Sequence, residues 1–182
     1  MKAWVLTIRR RPWGRAGRMA ATQVLVILLM LVAVTEVRSE LRAVLVGVSD
    51  YPTLPAGVQR TPGARNDVEL LRATLRQRGF ASDRIQVLAD GVRDAERPTR
   101  ANILRALDEL VESSEPGDLV YLHFAGHGSM EPGSRPREGA SPIFLPIDIG
   151  RWDGGVGRVD NAITQLDLRE RVDRIADRGA FV

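Results

Sequence analysis

The sequence predicts an α/β fold, a mostly parallel sheet with helices on both faces. Three observations support this class. Short apolar runs typical of buried strands alternate with segments of helical periodicity, turn residues separate them, and there are no internal repeats. Such alternation indicates βαβ units, and 182 residues are enough for one domain with a sizeable core.

The N-terminal half of the predicted domain contains two strands and a helix. Leu41–Val48 is a nearly continuous apolar run, as expected of a strand buried on both faces. After a loop with three prolines, residues 51–62, a helix is predicted over residues 63–79, because its apolar residues share one face and a glycine ends it. Residues 84–90 have the composition of a short strand.

The C-terminal half continues the alternation. Thr99 is predicted to cap a helix with one apolar face, and residues 119–124 form the next strand. Loops rich in proline and glycine follow, interrupted by the apolar run Pro142–Ile147. Thr164 and Asp167 have the spacing of a capping box at the start of the last helix.

Residues 1–38 have the organisation of a targeting segment. They carry seven basic residues and one acidic residue, a charge of +6, whereas the rest of the chain sums to −3. The basic residues precede an apolar stretch, Met19–Val34, whose 16 residues fall short of the roughly 20 that span a bilayer. We therefore expect a signal peptide or a signal anchor, and an exported or membrane-anchored protein.

The distribution of charge also limits the classes of partner. Once the leader is set aside, no basic stripe remains that would favour a nucleic-acid-binding domain, and contact with a membrane is expected only through an uncleaved leader. Every basic residue except Lys2 is arginine, a bias typical of a GC-rich genome, and we expect a bacterial source.

The last three residues, Ala-Phe-Val, have the composition of the first half of another buried strand. A stub of three apolar residues cannot complete a position in a sheet, and it would leave the neighbouring strand with an open edge. We therefore expect residues 41–182 to be the truncated first part of a domain.

Five segments of these strands, helices and loops form an ordered pattern. In chain order they are VGVSDY, GARNDVELLRATLRQRGF, PTRANILRALDEL, GDLVYLHFAGHGS and IFLPID. Together they resemble the caspase-like cysteine peptidases (peptidase C14), nearest the metacaspases and their bacterial relatives. The Gly-His-Gly turn alone occurs widely, but five segments in the same order form a specific signal. The resemblance implies a caspase-like three-layer sandwich, incomplete at its C-terminus.

The resemblance also implies a cysteine endopeptidase, in which His127 is the general base for a cysteine nucleophile. The chain contains no cysteine, so we expect the nucleophile just beyond Val182 and expect the chain by itself to be inactive. The backbone N–H of Gly128 corresponds to the family's oxyanion donor, and a glycine there lets the substrate backbone approach closely.

Asp67 is the predicted substrate-binding residue. It corresponds to the aspartate that lines the S1 pocket of metacaspases, where a carboxylate would hold an arginine or lysine of the substrate through charge-assisted hydrogen bonds. Two alternatives remain open. Asp67 could be an acid in the first turn of its helix, favoured by the helix dipole, and the nearby Arg65 could favour cleavage after aspartate.

No metal or cofactor is predicted. His123 and His127 are four residues apart, but they lie across a strand and a turn rather than on one helix, so His123 is interpreted as a structural residue. Some metacaspases bind calcium, which needs six or more oxygen ligands. Here Asp160 keeps an oxygen ligand of the expected kind, whereas Asp148 and Asp153 are interpreted as loop-surface residues, so calcium dependence is not predicted.

Two classes of function remain open on the sequence. The first is a caspase-like endopeptidase that cleaves protein or peptide substrates after arginine or lysine, or a related branch with another specificity. The second is a pseudo-peptidase, a non-catalytic binding module on the same scaffold. The sequence encoded after Val182 would distinguish them, and the oligomeric state is not indicated.

Overall fold

The computed structural model describes residues 39–131, 139–150 and 159–182. All of them belong to the unit Arg38–Val182, one of two into which the chain divides. The expected leader, residues 1–38, and Asp153 lie outside the described residues. Within the described ranges, no helix combines the length and the apolar character that crossing a membrane requires.

A parallel three-stranded sheet forms the centre of the domain, and its strands are the predicted ones. β1 (Leu41–Gly47) lies between β2 (Ile85–Ala89) and β3 (Leu119–Ala125). The register pairs Ala43 of β1 with Ile85 on one side and with Tyr121 on the other. The central position of β1 explains its continuous apolar run, because both of its faces are buried.

Three helices begin and end close to the predicted residues. α1 (Pro62–Gln77) starts with a proline, whose fixed φ suits the first helical position. α2 (Arg100–Ser113) is capped by Thr99, as predicted. α3 (Gln165–Asp177) begins with the predicted capping box.

The helices cover both faces of the parallel sheet. Alternate residues of β1 point to opposite faces. Ala43 and Leu45 contact a cluster that includes the apolar residues of α1. Val44 and Val46 contact the opposite cluster, which contains the buried residues of α2 and α3. The predicted class, an α/β sandwich of three layers, is confirmed.

A second, antiparallel sheet follows β3, and the sequence did not predict it. Its strands are β4 (Gly128–Glu131), β5 (Ser141–Phe144) and β6 (Ile163–Thr164), in the order β4–β5–β6. The sequence predicts loops rich in proline and glycine after β3, and the four residues of β4 show no clear apolar alternation. Pairing with β5, ten or more residues further along the chain, makes this segment a strand.

A third apolar cluster joins this small sheet to the loop after β1. Its buried members are Val48, Tyr51, Ile143, Leu145, Ile147, Ile149, Val159 and Ala162. The cluster holds the loop between β1 and α1 against β5, beside the carboxyl ends of the parallel strands. Open α/β sheets bind their ligands at this end.

Phe181 lies at the free edge of β3, where it forms a parallel bridge with Leu119. Its N–H donates to the carbonyl of Asp118 at 2.8 Å, and its own carbonyl accepts the N–H of Val120 at 2.7 Å. The predicted strand-like residues at the C-terminus therefore pair with β3 in the direction of a parallel neighbour.

Candidate active site

His127 lies in the turn that joins β3 to β4, at the carboxyl end of the parallel sheet. The preceding Gly126 has a φ of +154°, which side chains rarely adopt. A Cβ at Gly126 would also collide with the Tyr51 hydroxyl and lie 3.2 Å from the Phe144 ring. The fold therefore requires glycine at position 126, and the tight turn brings the His127 backbone close to Tyr51.

The imidazole of His127 is held by a backbone carbonyl. Its Nε2 lies 2.7 Å from the carbonyl oxygen of Val58, in the loop between β1 and α1. A carbonyl oxygen can only accept, so this hydrogen bond needs a proton on Nε2. In the neutral ring Nδ1 is then unprotonated and able to accept a proton, as a general base must.

The backbone of His127 is held by Tyr51. The His127 N–H donates to the Tyr51 hydroxyl oxygen at 2.7 Å, and the two ring centroids are 4.8 Å apart. Tyr51 is fully buried. Burial raises the pKa of Tyr51 to about 12; the hydrogen bond from His127 opposes this shift, and the charge of Asp90 adds to it. Tyr51 is thus a neutral phenol at physiological pH.

Tyr51 and Val58 belong to opposite limbs of one closed loop, residues 50–60. Asp50 and Arg60 form an antiparallel bridge at its base, and the Tyr51 N–H donates to the Gln59 carbonyl at 2.8 Å. This closure couples the two limbs, so one loop contacts His127 both at its backbone and at its ring.

Gly128, the first residue of β4, has its N–H directed away from β5. It pairs with Phe144, and the neighbouring bond runs from the Leu145 N–H to the His127 carbonyl at 3.0 Å. This pattern marks a pair whose own N–H groups point outward from the ladder. Among the residues that the structure describes, a Cβ at Gly128 would meet only the Ile143 carbonyl, at 3.4 Å, so these residues leave room for a side chain there.

Asp67 and His123 lie near one another, on the side of the sheet covered by α1. Asp67 is exposed in the second turn of α1, since the helix begins at Pro62. The alternative reading of Asp67 as a first-turn acid is therefore wrong. Burial lowers the pKa of His123, and the negative charge of Asp67 opposes this shift. The buried Nε2 of His123 has no hydrogen-bond partner among the residues that the structure describes.

The acidic residues that the structure describes after His127 differ in their settings. Asp160 is exposed beside Asn161, which has a φ of +62°. Asp148 is not a loop-surface residue, because its carboxylate accepts the Arg100 N–H at 2.8 Å and so stabilises the N-terminus of α2. Across the described ranges, no three histidine or acidic side chains are grouped closely enough to hold a metal ion.

Sequence reasoning missed the roles of Tyr51 and Val58. Tyr51 stands in a segment that carried the family resemblance, and a tyrosine among prolines could have been noted as a buried anchor. Val58 acts through its carbonyl oxygen, a group that every residue has. Its contribution has no signal in the sequence.

Comparisons with known proteins agree on one family. The family model for the metacaspase, peptidase C14 domain matches residues 41–176. Metacaspase-4 of Arabidopsis thaliana is 35% identical over 138 residues, which cover 74% of this chain and 29% of that protein. Metacaspase-1 of Mycosarcoma maydis is 38% identical over 89 residues, 47% of this chain and 22% of that protein.

A solved structure supports the fold. The crystal structure of a structural-genomics target from Geobacter sulfurreducens matches with a TM-score of 0.59 and 20% identity, over 78% of this chain and 47% of that one. The chain spans 22% to 40% of the length of the curated relatives that it matches. The predicted family and caspase-like fold class are confirmed.

Proposed function

The chain belongs to the metacaspase family of peptidase C14, and from this premise we propose that it supplies the histidine-bearing part of a cysteine endopeptidase that cleaves after arginine or lysine. The observation that carries the proposal is the setting of His127. Its ring lies at the carboxyl end of the sheet with Nε2 bound to the Val58 carbonyl, which leaves Nδ1 to accept a proton.

In the proposed reaction His127 takes the proton of a cysteine thiol, and the thiolate attacks the scissile carbonyl. The peptide C–N bond then breaks, and the leaving amine receives the proton from the imidazolium. Water hydrolyses the resulting thioester, with His127 again as the base. The fixed Nε2 hydrogen bond supports this role, because the Val58 carbonyl also stabilises the imidazolium.

The register of the sheet supports a nucleophile beyond Val182. Phe181 pairs with Leu119, the first residue of β3, and β3 ends six residues later at Ala125. A strand that continued in this register would reach the level of Ala125 six residues after Phe181. The residue at its end would then lie beside the turn that holds His127.

Gly128 is the proposed oxyanion donor. The direction of its N–H, away from β5, supports this role, because the group is available to a developing negative charge. The fold tolerates a side chain at this position, and close approach of a substrate is a separate reason for a glycine.

Asp67 is the proposed S1 carboxylate. Asp67 is exposed on α1 and lies near His123 of β3. This position supports the proposal, because it puts a negative charge beside the strand that ends at the turn with His127. An arginine of the substrate would form charge-assisted hydrogen bonds with it.

The first experiment is to read about 30 codons beyond Val182 and to express the chain with that segment. We expect an apolar strand followed by a cysteine, and cleavage of peptides after arginine or lysine that is lost in His127→Ala. A stop codon directly after Val182, or an extended chain that cleaves none of these peptides, would contradict the proposal. A non-catalytic binding module would then be the better description.

The specificity proposal has its own test in the extended chain. Asp67→Asn should reduce kcat/KM for arginine peptides by about 100-fold or more, because a desolvated charge pair loses one partner. Glu69→Gln is the matched control, an exposed acid on the same helix that is two residues away and therefore points elsewhere. Equal kinetics of the two variants would remove Asp67 from the S1 pocket.

We further propose that the enzyme is exported or membrane-anchored, and we do not expect its activity to depend on calcium. The basic and apolar leader supports the first statement. The second is supported by Asp148, whose carboxylate is already bound to the N-terminus of α2, so treatment with EGTA should leave the activity of the extended chain unchanged. Activity that disappears with EGTA and returns with added calcium would contradict it.

A further inference from the structure

Tyr51 has a contact that its role in the core does not require. It is fully buried in the cluster that joins the small sheet to the loop 50–60, yet its hydroxyl is directed at the Gly-His-Gly turn. There it accepts the backbone N–H of His127 at 2.7 Å. A phenylalanine would fill the same apolar space without this bond.

The geometry around the hydroxyl leaves little tolerance. The absence of a Cβ at Gly126 is what lets the hydroxyl approach the turn, and the ring of Tyr51 lies 4.8 Å from the ring of His127 at an angle of 44°. The Tyr51 N–H is bound to the Gln59 carbonyl, beside Val58. The position of the phenol is therefore tied to that of the carbonyl that holds Nε2.

We propose that Tyr51 is a positioning residue for His127, whose hydroxyl sets the backbone of the turn so that the imidazole meets the Val58 carbonyl and keeps Nδ1 unprotonated. Tyr51 acts through His127, because its hydroxyl binds the His127 backbone and its ring lies beside the imidazole. This inference rests on the proposed function for its catalytic meaning, but the positioning itself is a property of the chain of 182 residues.

The chain is suited to a direct test, because it contains only two histidines and two tyrosines. The full chain, labelled with ¹⁵N and ¹³C in histidine, should give one ring spectrum for His127 and one for His123. Long-range ¹⁵N–¹H couplings report which ring nitrogen carries the proton. We expect the Nε2–H tautomer for His127 at neutral pH.

The variant Tyr51→Phe should change His127 selectively. We expect its amide hydrogen to exchange about tenfold faster, in line with the loss of one hydrogen bond, and its ring to populate both tautomers. The ring of His123, four residues earlier, serves as the internal reference and should be unchanged. Tyr121→Phe, an exposed residue of β3 two positions before His123, is the control variant and should leave His127 unchanged.

Two outcomes would overturn the role of Tyr51. In one, Tyr51→Phe leaves the amide exchange and the tautomer of His127 as they were. In the other, His127 and His123 change together, which indicates a general loosening of the fold. If Tyr51→Phe does not fold, 3,5-difluorotyrosine in the Tyr121→Phe background retains the hydroxyl as a weaker acceptor. An unchanged His127 amide signal would then overturn the proposal.

These readouts need no peptidase activity, so the two proposals can fail separately. An extended chain without activity would contradict the proposed function and leave the Tyr51–His127 coupling intact. An active enzyme in which Tyr51→Phe alters neither His127 nor kcat would leave the function intact and remove Tyr51 as a positioning residue.

Discussion

Gly126 and Gly128 flank the same histidine, but the structure constrains the two positions differently. Gly126 has a positive φ, and any Cβ there would collide with the Tyr51 hydroxyl. Gly128 has neither constraint, since a Cβ would make an ordinary contact of 3.4 Å with a carbonyl. The first glycine serves the fold, whereas the proposed approach of a substrate is the reason offered for the second.

This difference can be measured as stability. Gly126→Ala should lower the free energy of unfolding by about 2 kcal/mol or more, because backbone strain and overpacking add. Gly128→Ala should lower it by less than about 1 kcal/mol. Urea denaturation of the two variants tests this difference. Similar losses of unfolding free energy in both variants would contradict it.

At the scale of the helices, local sequence specifies where α1 and α3 begin, but the threonines at the two helix starts make different hydrogen bonds. The Thr164 hydroxyl accepts the Asp167 N–H at 3.1 Å, and the Asp167 carboxylate in turn accepts the Thr164 N–H at 2.9 Å. The Thr61 side chain at the start of α1 makes no such bond, because its hydroxyl donates to the Val48 carbonyl instead. Only the tertiary structure shows that the Thr61 hydroxyl binds the loop after β1 instead of capping its helix.

Thr164→Ala should destabilise the protein by about 1 kcal/mol, since the first turn of α3 loses its capping oxygen. Thr74→Ala is the control, because that hydroxyl bonds back to the Leu70 carbonyl within α1 and helps no helix terminus. Thermal or urea denaturation provides the measurement. A loss in Thr74→Ala as large as that in Thr164→Ala would contradict the capping argument.

At the scale of the whole molecule, one buried carboxylate links the amino ends of β1 and β3. Asp118 is 1% exposed and accepts the Glu40 N–H at 2.7 Å, the Arg42 Nε–H at 2.9 Å and the Glu115 N–H at 3.1 Å. Burial alone would raise the pKa of Asp118, but these hydrogen bonds and the charge of Arg42 outweigh it and lower the pKa.

The pKa of Asp167 is also lowered. Burial acts in the opposite direction, but bonds from Thr164 and the charge of Arg100 outweigh it. Both carboxylates therefore stay ionised in the folded state at a pH where the unfolded chain is protonated. Their contribution to stability is present above about pH 4 and is lost as the pH falls through the lowered pKa values.

The free energy of unfolding should accordingly fall with acidification below about pH 4, and Asp118→Asn should flatten this dependence. At pH 7 the same variant should lose about 1–3 kcal/mol, because the charge-assisted hydrogen bonds to Asp118 are weakened while Arg42 keeps its ion pair with Glu40. Urea denaturation between pH 3 and 7 provides the test, with Asp173→Asn on the exposed surface of α3 as the control. An acid dependence equally steep in Asp118→Asn would contradict the assignment.

The class of the fold and most of the candidate site follow from local patterns. The apolar run of β1 indicates a central strand, Thr99 and Thr164 mark helix starts, and the ordered motifs identify the family together with His127, Gly128 and Asp67 as its candidate residues. These features depend on the chemistry of each side chain and on the spacing of neighbours, so a sequence records them.

The second sheet and the environment of His127 arise only from contacts between distant residues. β4 becomes a strand because β5 pairs with it, and the histidine is held by Val58 and Tyr51, which are 69 and 76 residues away along the chain. A backbone carbonyl has no residue type, and a hydroxyl reveals its acceptor role only once the fold brings a donor to it. The sequence by itself determined the class, the family and the candidate residues, whereas the tertiary structure decided which nitrogen of His127 is held and by what, because hydrogen bonds between distant segments leave no local pattern.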